Sequence, residues 1–282
     1  MTIRSVDGFD GHRDLQGIAI ADAANQRIYW SEADQIAADL RAHFSNCTVI
    51  DQFDFAGSYR RGQETVGDLD ILVVSGEPGQ VMDHLASFPA VEETIARGET
   101  KMSIRLKTSF QVDLRVMARE SFGAAFQYFT GSQAHNVHLR GMARQRGLKI
   151  NEYGLFRIEG EEEVYIAGET EEDLYAALDL PVFEPELREA RREFEWAENN
   201  TLPELLMATD VIGDLHMHTT DSDGKHSLEE MVAAARQRGL QYIAITDHSK
   251  RVTMANGLDA GRLLEQWKQI DQFNETLDDR FL

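Results

Sequence analysis

The sequence of 282 residues has very little cysteine and no long apolar run. Its one cysteine, Cys47, excludes an internal disulfide and a cysteine-rich metal cluster. No apolar segment approaches the roughly 20 residues that a membrane-spanning helix needs, so we expect no membrane partner. Early acidic residues such as Asp7 and Asp10 argue against a signal peptide. These absences lead us to expect a cytoplasmic protein.

Basic residues are also scarce, because 28 Lys and Arg stand against 49 Asp and Glu, for a net charge of −21. A chain this acidic should repel nucleic acid as a whole. The charge is uneven, however: residues 101–150 hold nine Lys or Arg and two Asp or Glu, whereas residues 151–200 hold four and sixteen. A polyanion would therefore bind in the 101–150 segment, although a solvated basic helix face would have the same composition.

The pattern of predicted elements changes after an acidic, proline-containing stretch at 159–200, which we interpret as a domain junction. From residue 214 the chain is predicted to form a strand, a helix, a strand and a helix, which is typical of an α/β unit. A length of 282 residues also favours about two domains.

Two aspartates lie two residues apart on a strand predicted over 68–74. The period of two places Asp68 and Asp70 on one face of that strand. Two like charges this close are costly without a cation, and carboxylate oxygens suit Mg²⁺ or Mn²⁺. Asp113 interrupts a second predicted strand, 110–117, from which it could reach the same ions. Three carboxylates and two metals are what in-line phosphoryl transfer needs, although Asp-x-Asp alone is usually a solvated strand end.

A glycine and a serine, Gly57 and Ser58, follow the strand predicted over 48–55, and Arg60 and Arg61 come next. Glycine lets the backbone approach a phosphate closely, while a serine hydroxyl and an arginine fork can hold a triphosphate. The order of these residues and the aspartates therefore indicates a nucleotide site.

The run GSYRRGQETVGDLDIL, residues 57–72, resembles the palm motif of the family X DNA polymerases, which are polymerase-beta-like nucleotidyltransferases. Residues 111–115 (QVDLR) are similar to the strand that carries the family's third catalytic aspartate, and residues 128–132 (YFTGS) to its nucleotide-binding turn. Residues 147–155 are similar to the segment that follows this turn. The resemblance extends over residues 28–182.

This resemblance implies a DNA polymerase core that transfers a nucleotide from a deoxynucleoside triphosphate to a DNA 3′-hydroxyl. The implied setting is short-gap repair of gapped or primer–template DNA, with Mg²⁺ or Mn²⁺. The implied catalytic and metal-binding residues are Asp68, Asp70 and Asp113. The implied nucleotide-binding residues are Gly57, Ser58, Arg61, Tyr128, Phe129, Gly131 and Asn136. The implied DNA-binding residues are Arg115 and Arg140.

Four of the nine histidines fall between residues 216 and 248. His216 and His218 share one face of a predicted strand, and Asp223 and His248 follow in turns. Ligands collect at the carboxyl ends of strands in α/β folds, and imidazole with carboxylate suits Zn²⁺ or Mn²⁺. A lone histidine is usually structural or solvated, but this grouping predicts a metal site formed by all four residues.

The sequences DLHMH at 214–218, SDG at 222–224 and TDH at 246–248 resemble motifs of the PHP phosphoesterase domain, which bacterial family X polymerases carry after the palm. In that family the domain is a distorted β/α barrel associated with 3′–5′ exonuclease activity. The two resemblances together imply an α+β fold with a polymerase-beta-like palm, a thumb-like subdomain and the first β/α units of an incomplete PHP barrel. The implied ranges are an N-terminal segment (1–27), the palm (28–118), a nucleotide- and DNA-binding subdomain (119–182), a linker helix (183–212) and a partial PHP domain (213–282).

Other functions stay open at this point. We expect the chain to be the middle of a longer polymerase, so an inactive nucleotide- or DNA-binding fragment is one alternative. A PHP-type phosphoesterase or 3′–5′ exonuclease is a second, and a nucleotidyltransferase acting on RNA or protein is a third. On periodicity alone, Tyr128 and Phe129 would be core residues of an amphipathic helix rather than a sugar-binding pair.

Overall fold

The computed structural model describes residues 27–277 and residue 281. The chain divides into two compact units, with the boundary between Leu202 and Pro203. The finer subdivision at residues 118, 182 and 212 stays a prediction, and the predicted N-terminal segment lies almost entirely outside the described residues. In this described part of the chain, no helix is both long and apolar enough to cross a membrane.

The first unit begins with a five-stranded mixed sheet in the order β2-β4-β7-β6-β5. Strands β4 and β7 pair in parallel, and the other neighbouring pairs are antiparallel. The strands of this region are β1 (Ile28–Tyr29), β2 (Gln52–Phe55), β3 (Thr65–Val66), β4 (Asp68–Val74), β5 (Val91–Arg97), β6 (Lys101–Leu106) and β7 (Gln111–Met117). The helices are α1 (Trp30–Phe44), α2 (Gly57–Arg60) and α3 (Pro78–Ala86).

The two faces of this sheet are covered differently. Alternate residues of β4, namely Leu69, Ile71 and Val73, are buried in the main core together with apolar residues of α1 and α3. On the opposite face, Leu72 and Val74 belong to a smaller apolar cluster with residues of the next helix, α4 (Phe122–Thr130). Because α4 packs at the carboxyl end of β4, the amino end of the same face, which carries the aspartates, is left for a polar site.

The rest of the first unit packs helices against a three-stranded antiparallel sheet in the order β10-β9-β8. Its elements are a 3₁₀ turn at Arg119–Ser121, α4, α5 (Gln133–Gln145), β8 (Leu148–Asn151), β9 (Gly154–Glu159), β10 (Glu162–Ala167) and α6 (Glu171–Ala176). The acidic stretch at 159–200 contains β10 and α6 of this unit, and the boundary after Leu202 lies just beyond its end. Buried Leu174 and Tyr175 hold α6 in the core, while most of its acidic neighbours face solvent.

The predicted linker helix over 183–212 is wrong as one continuous helix. The segment holds a single α-helix, α7 (Glu193–Glu198), with 3₁₀ turns at Pro185–Leu187 and Ala208–Asp210. Proline restricts the start of this segment, and Ala190 adopts a left-handed conformation with φ of 53°. A helix cannot run through such a residue, so it begins only after Ala190.

The second unit contains β11 (Gly213–Met217), α8 (Leu228–Gln237), β12 (Tyr242–Ile245) and α9 (Ala260–Glu275), with a 3₁₀ turn at Thr253–Ala255. Strands β11 and β12 pair in parallel, as the sequence of elements predicts. Helix α8 begins at a capping box, in which the Ser227 hydroxyl accepts from the Glu230 amide and the Glu230 carboxylate from the Ser227 amide. The strand–helix–strand order thus confirms a β/α unit.

Candidate active site and metal cluster

The three predicted catalytic aspartates lie on the same face of two adjacent strands. Parallel pairing of β4 with β7 sets Asp70 directly beside Asp113 and Asp68 beside Gln111. The carboxylate of Asp70 points toward Gly57: a Cβ atom at that glycine would lie 2.5 Å from Asp70 Oδ2. Gly57 also has a φ of 67°, so both the space and the backbone conformation require glycine.

The electrostatics of these aspartates favour a bound cation. Burial, followed by the charges of Asp68 and Asp113, raises the pKa of Asp70 to about 7, although Arg115 and Arg61 oppose this. Burial and the charge of Asp113 also raise the pKa of Asp68. Grouped carboxylates with raised pKa values fit a divalent ion, which would hold them in the ionised form.

Asp113 has one carboxylate oxygen that is engaged and one that is not. Its Oδ2 accepts a hydrogen bond from Gln111 Nε2 at 3.0 Å. Its Oδ1 is buried and has no partner among the described residues. Buried polar atoms normally find a partner, so this oxygen is the one that would bind a metal ion or a substrate hydroxyl. Carboxylate oxygens are the ligands that Mg²⁺ and Mn²⁺ prefer, but among the described residues Asp68, Asp70 and Asp113 do not form a group whose ligand atoms all lie within 4.8 Å of one another.

The predicted phosphate-binding residues occupy the turn between β2 and β3. Gly57 and Ser58 begin the short helix α2, and Arg61 follows it. Arg61 is already held by the protein, since its Nε donates to Glu189 Oε1 at 2.6 Å and its Nη1 to the Thr130 carbonyl at 2.7 Å. No local pattern indicates Glu189 as this partner, because it lies 128 residues from Arg61.

The predicted nucleotide-binding turn lies where α4 ends. The Tyr128 and Phe129 rings contact each other edge to face, with centroids 5.0 Å apart. Asn136 holds the turn, because its Nδ2 donates to the carbonyls of Tyr128 at 2.6 Å and Gly131 at 3.1 Å. Its Oδ1 accepts from Gln127 at 2.9 Å. The nucleotide-binding role implied for Asn136 stays a prediction, and its side-chain amide is engaged within the turn.

The two predicted DNA-binding arginines each lie over a ring of this turn. The Arg115 guanidinium is 4.3 Å from the centroid of the Phe129 ring, and its buried Nε has no partner in the part of the chain described. Arg140 is exposed and lies 5.6 Å from the Tyr128 centroid. Both contacts are in the range of cation–π interactions.

A buried cluster of ion pairs connects Arg60, in the turn between β2 and β3, to Glu171 on α6. The sequence does not indicate this cluster. Glu171 accepts from Arg60 at 2.8 Å and 3.0 Å and from Arg188, whose side chain is fully buried. Burial raises the pKa of Glu171, but the hydrogen bonds from both arginines outweigh burial and hold the pKa below its usual value. Arg60 and Glu171 are 111 residues apart, so no local pattern could indicate the pair.

In the second unit, the structure brings together three of the four predicted metal ligands. One ligand atom each from His218, Asp223 and His248 lies within 4.8 Å of the others, and this is the one such group found within residues 27–277 and 281. His218 Nδ1 is 3.0 Å from Asp223 Oδ1. His216 contacts the group through His218, with 3.1 Å between their Nε2 atoms. Two imidazoles and a carboxylate at this spacing fit Zn²⁺ or Mn²⁺.

Asp247, which sequence reasoning missed, supports this cluster. Its carboxylate accepts from the Thr219 amide at 2.8 Å, from the Thr219 hydroxyl at 2.5 Å and from Gln266 at 2.7 Å. The Ser222 hydroxyl donates to it as well. Because Asp247 precedes His248 and Ser222 precedes Asp223, these bonds fix the two ligands relative to each other.

Comparison with known proteins identifies the family. The models of the DNA polymerase beta palm and of the DNA polymerase beta thumb match residues 27–121 and 125–189, and that of the PHP domain matches residues 214–277. The DNA polymerase/3′-5′ exonuclease PolX of Bacillus subtilis (strain 168) is 40% identical over 263 residues, which are 92% of this chain and 45% of that protein. The chain belongs to the family X DNA polymerases.

Two further relatives of this family X chain are more distant. DNA polymerase lambda of Rattus norvegicus is 28% identical over 219 residues, 64% of this chain and 38% of that protein. Repair DNA polymerase X of African swine fever virus (isolate Tick/South Africa/Pretoriuskop Pr4/1996) is 26% identical over 108 residues, 36% of this chain and 62% of that protein. The family X chain thus spans less than two thirds of the length of each of these three relatives.

We expect Asp70 to make the metal-free family X chain less stable as the pH rises. Because the pKa of about 7 in the folded state exceeds the ordinary value of 3.8, folding is favoured at low pH and this gain is lost as the pH rises to about 7. Asp70→Asn cannot ionise. Between pH 4 and pH 7 the free energy of unfolding of the wild type should therefore fall by about 2–4 kcal/mol relative to that of the variant. Urea unfolding with a chelator measures this difference, and parallel pH profiles would contradict it.

Proposed function

We propose that this family X chain is the catalytic core of a DNA-directed DNA polymerase. It transfers a nucleotide from a deoxynucleoside triphosphate to the 3′-hydroxyl of gapped or primer–template DNA, in short-gap repair. One observation carries the proposal: the buried Oδ1 of Asp113, which has no partner in the part of the chain described, lies on the same face of the sheet as Asp70, whose pKa is raised by burial to about 7. The names of the relatives, two of which are repair or exonuclease-linked polymerases, support it. A cytoplasmic location is part of this proposal.

The aspartates would hold the divalent ions, Mg²⁺ or Mn²⁺. When bound, such ions neutralise charge on the triphosphate and make the primer hydroxyl easier to deprotonate. Asp113 Oδ1, which has no partner among the described residues, would accept a hydrogen bond from the primer 3′-hydroxyl and so orient it. This residue would act on the attacking group, while Asp68 and Asp70 would hold the ions on the side of the triphosphate.

The remaining residues would bind and orient the two substrates. Ser58 and Arg61 would donate to the triphosphate, and Gly57 lets it approach the backbone. Tyr128 and Phe129 would pack under the deoxyribose and disfavour a ribose 2′-hydroxyl. The position of α2 beside Asp70 supports the roles of Gly57, Ser58 and Arg61.

Incorporation of one nucleotide into a gapped duplex tests the proposal. The chain, a duplex with a one-nucleotide gap and Mg²⁺ should extend the primer with the complementary deoxynucleotide only. A primer that ends in a dideoxynucleotide is the control, because it lacks the attacking hydroxyl. Binding of the triphosphate without extension would overturn the polymerase proposal and leave a nucleotide-binding fragment.

A second activity is favoured by the cluster of His218, Asp223 and His248. Two imidazoles and a carboxylate around one point would hold Zn²⁺ or Mn²⁺, which when bound activates phosphodiesters toward hydrolysis. We propose a PHP-type phosphoesterase or 3′–5′ exonuclease as this second candidate function. Release of nucleotides from a single-stranded DNA 3′ end, in the absence of triphosphates, tests it.

His248→Ala should remove one Zn²⁺ site from the chain. Losing even an outer-shell partner lowers metal affinity by about 10–100-fold, so loss of a direct ligand should raise the Kd at least about a hundredfold. Zinc titration calorimetry measures both the Kd and the number of sites. His226→Ala is the matched control, since His226 is exposed and lies outside the cluster. Equal effects of the two substitutions would contradict the proposed site.

A further inference from the structure

The segment Arg188–Glu193, which we call the linker clasp, contacts the proposed nucleotide site from outside the palm. Its Glu189 side chain accepts from Arg61 Nε at 2.6 Å and from Gln63 Nε2 at 2.9 Å, both through Oε1. One carboxylate oxygen of Glu189 therefore accepts hydrogen bonds from both neighbours of Gly62, which are Arg61 and Gln63. The Arg61 and Glu189 side chains are only 13% and 20% exposed, so solvent screens this pair weakly.

The linker clasp is itself held firmly. Its Arg188 is buried against Glu171, and the Arg188 carbonyl accepts from the Ser132 amide at 3.0 Å. At its other end, Glu193 accepts from the Ala190 amide at 2.6 Å and lies 2.9 Å from the buried His135. Glu189 thus projects from a backbone that is fixed on both sides, which gives its carboxylate a defined position.

The contact with Glu189 does not use every N–H donor of the Arg61 guanidinium. Its Nε binds Glu189 and its Nη1 binds the Thr130 carbonyl, while its Nη2 has no partner within the described residues. A planar guanidinium that is fixed at Nε and Nη1 has a fixed Nη2 direction as well. Arg61 directly follows helix α2, whose first residue, Gly57, lies against the Asp70 carboxylate, so Arg61 belongs to the turn beside the catalytic aspartates.

We propose that Glu189 is a positioning residue for nucleotide binding: it orients Arg61 so that the free Nη2 faces the triphosphate. The linker clasp is then part of the nucleotide site rather than a passive connection. This inference rests on the proposed polymerase function. Simple charge repulsion predicts the opposite sign, since a carboxylate near a triphosphate would weaken its binding, and the two effects can be separated by experiment.

Binding of dATP with Mg²⁺ to the full chain on a gapped duplex measures the effect. The primer ends in a dideoxynucleotide, so binding is observed without chemistry. Glu189→Ala should raise the Kd for dATP about tenfold, because a charge-assisted hydrogen bond that orients a ligand group is lost. Glu189→Gln keeps an acceptor oxygen for Arg61 and should restore binding to within about threefold of the wild type. The Kd for the duplex should not change.

Two further variants complete the design. Glu186→Ala removes an equal charge from the neighbouring 3₁₀ turn and should leave dATP binding unchanged, because no ion pair of Glu186 is seen in the described residues. Glu189→Asp keeps the charge but shortens the reach, so it should weaken binding as Glu189→Ala does, and it serves if the alanine variant does not fold.

The outcomes separate this inference from the proposed function. Equal or tighter dATP binding by Glu189→Ala, with wild-type binding intact, would overturn the role of Glu189 alone. Failure of the wild-type chain to bind dATP would overturn the polymerase proposal, and the inference with it. Weakening by Glu186→Ala to the same extent would also overturn it, because the effect would then be one of net charge.

Discussion

Replacing Asp113 by asparagine should lower the rate of nucleotide incorporation by about a thousandfold or more. Asparagine has nearly the same shape and can still accept from Gln111, but it lacks the charge that binds a divalent ion. The buried Oδ1 of Asp113 has no partner among the described residues, so none of them would compensate for the change. Single-turnover extension of a gapped duplex at saturating triphosphate measures the loss.

The control for this experiment is Asp39→Asn, which removes one charge from an exposed position on α1. Its rate should stay within about twofold of the wild-type rate, since exposed charges act weakly at a distance. Circular dichroism and thermal unfolding should show both variants folded. A loss of less than tenfold for Asp113→Asn would mean that this carboxylate is not part of the catalytic site.

Glu171→Ala should destabilise the first unit by about 3–5 kcal/mol. The substitution leaves Arg188 fully buried without its carboxylate and also removes the partner of Arg60. Desolvation of an uncompensated charge is then the dominant cost. Urea unfolding at pH 7 measures the change, and Glu172→Ala, an exposed neighbour, should stay within about 0.5 kcal/mol of the wild type.

The pH dependence of this effect has a definite sign. The pKa of Glu171 is below its usual value in the folded state, because the hydrogen bonds from the arginines outweigh burial. Its stabilising contribution is therefore present above the pKa of the unfolded chain and is lost as the pH falls through the lowered pKa. The difference between wild type and Glu171→Ala should shrink in acid. A difference that is constant from pH 3 to pH 7 would show that packing rather than charge is responsible.

Sequence reasoning could group Asp68 with Asp70, and His216 with His218, because each pair depends on short-range geometry. Asp68 and Asp70 share a strand face whatever the strand pairs with, since side chains alternate with a period of two. His216 and His218 lie together for the same reason. Placing Asp113 beside Asp70 needed more: the family resemblance implied its catalytic role, but only the structure shows the parallel pairing of β4 and β7.

The same reasoning failed where composition opposed the fold. Composition alone makes all of 159–200 a junction, and the boundary between the two units does follow it at Leu202. The stretch itself, however, contains β10 and α6, because a few buried residues such as Leu174 and Tyr175 outweigh many exposed carboxylates. The linker was predicted as one helix from its charged, helix-favouring residues. A left-handed Ala190 and hydrogen bonds to Glu193 instead end any regular helix there.

The sequence by itself determined the family, the faces of the strands and the identity of the carboxylates and imidazoles. Only the tertiary structure decided which charges meet: Glu171 with Arg60 and Arg188, Glu189 with Arg61, and Asp247 with the loop of Asp223. The physical reason is that hydrogen bonds and ion pairs depend on distance in space, and most of these partners are separated by tens of residues along the chain. Local periodicity shows which face a residue takes, but the packing of the core decides which residues it meets across that face.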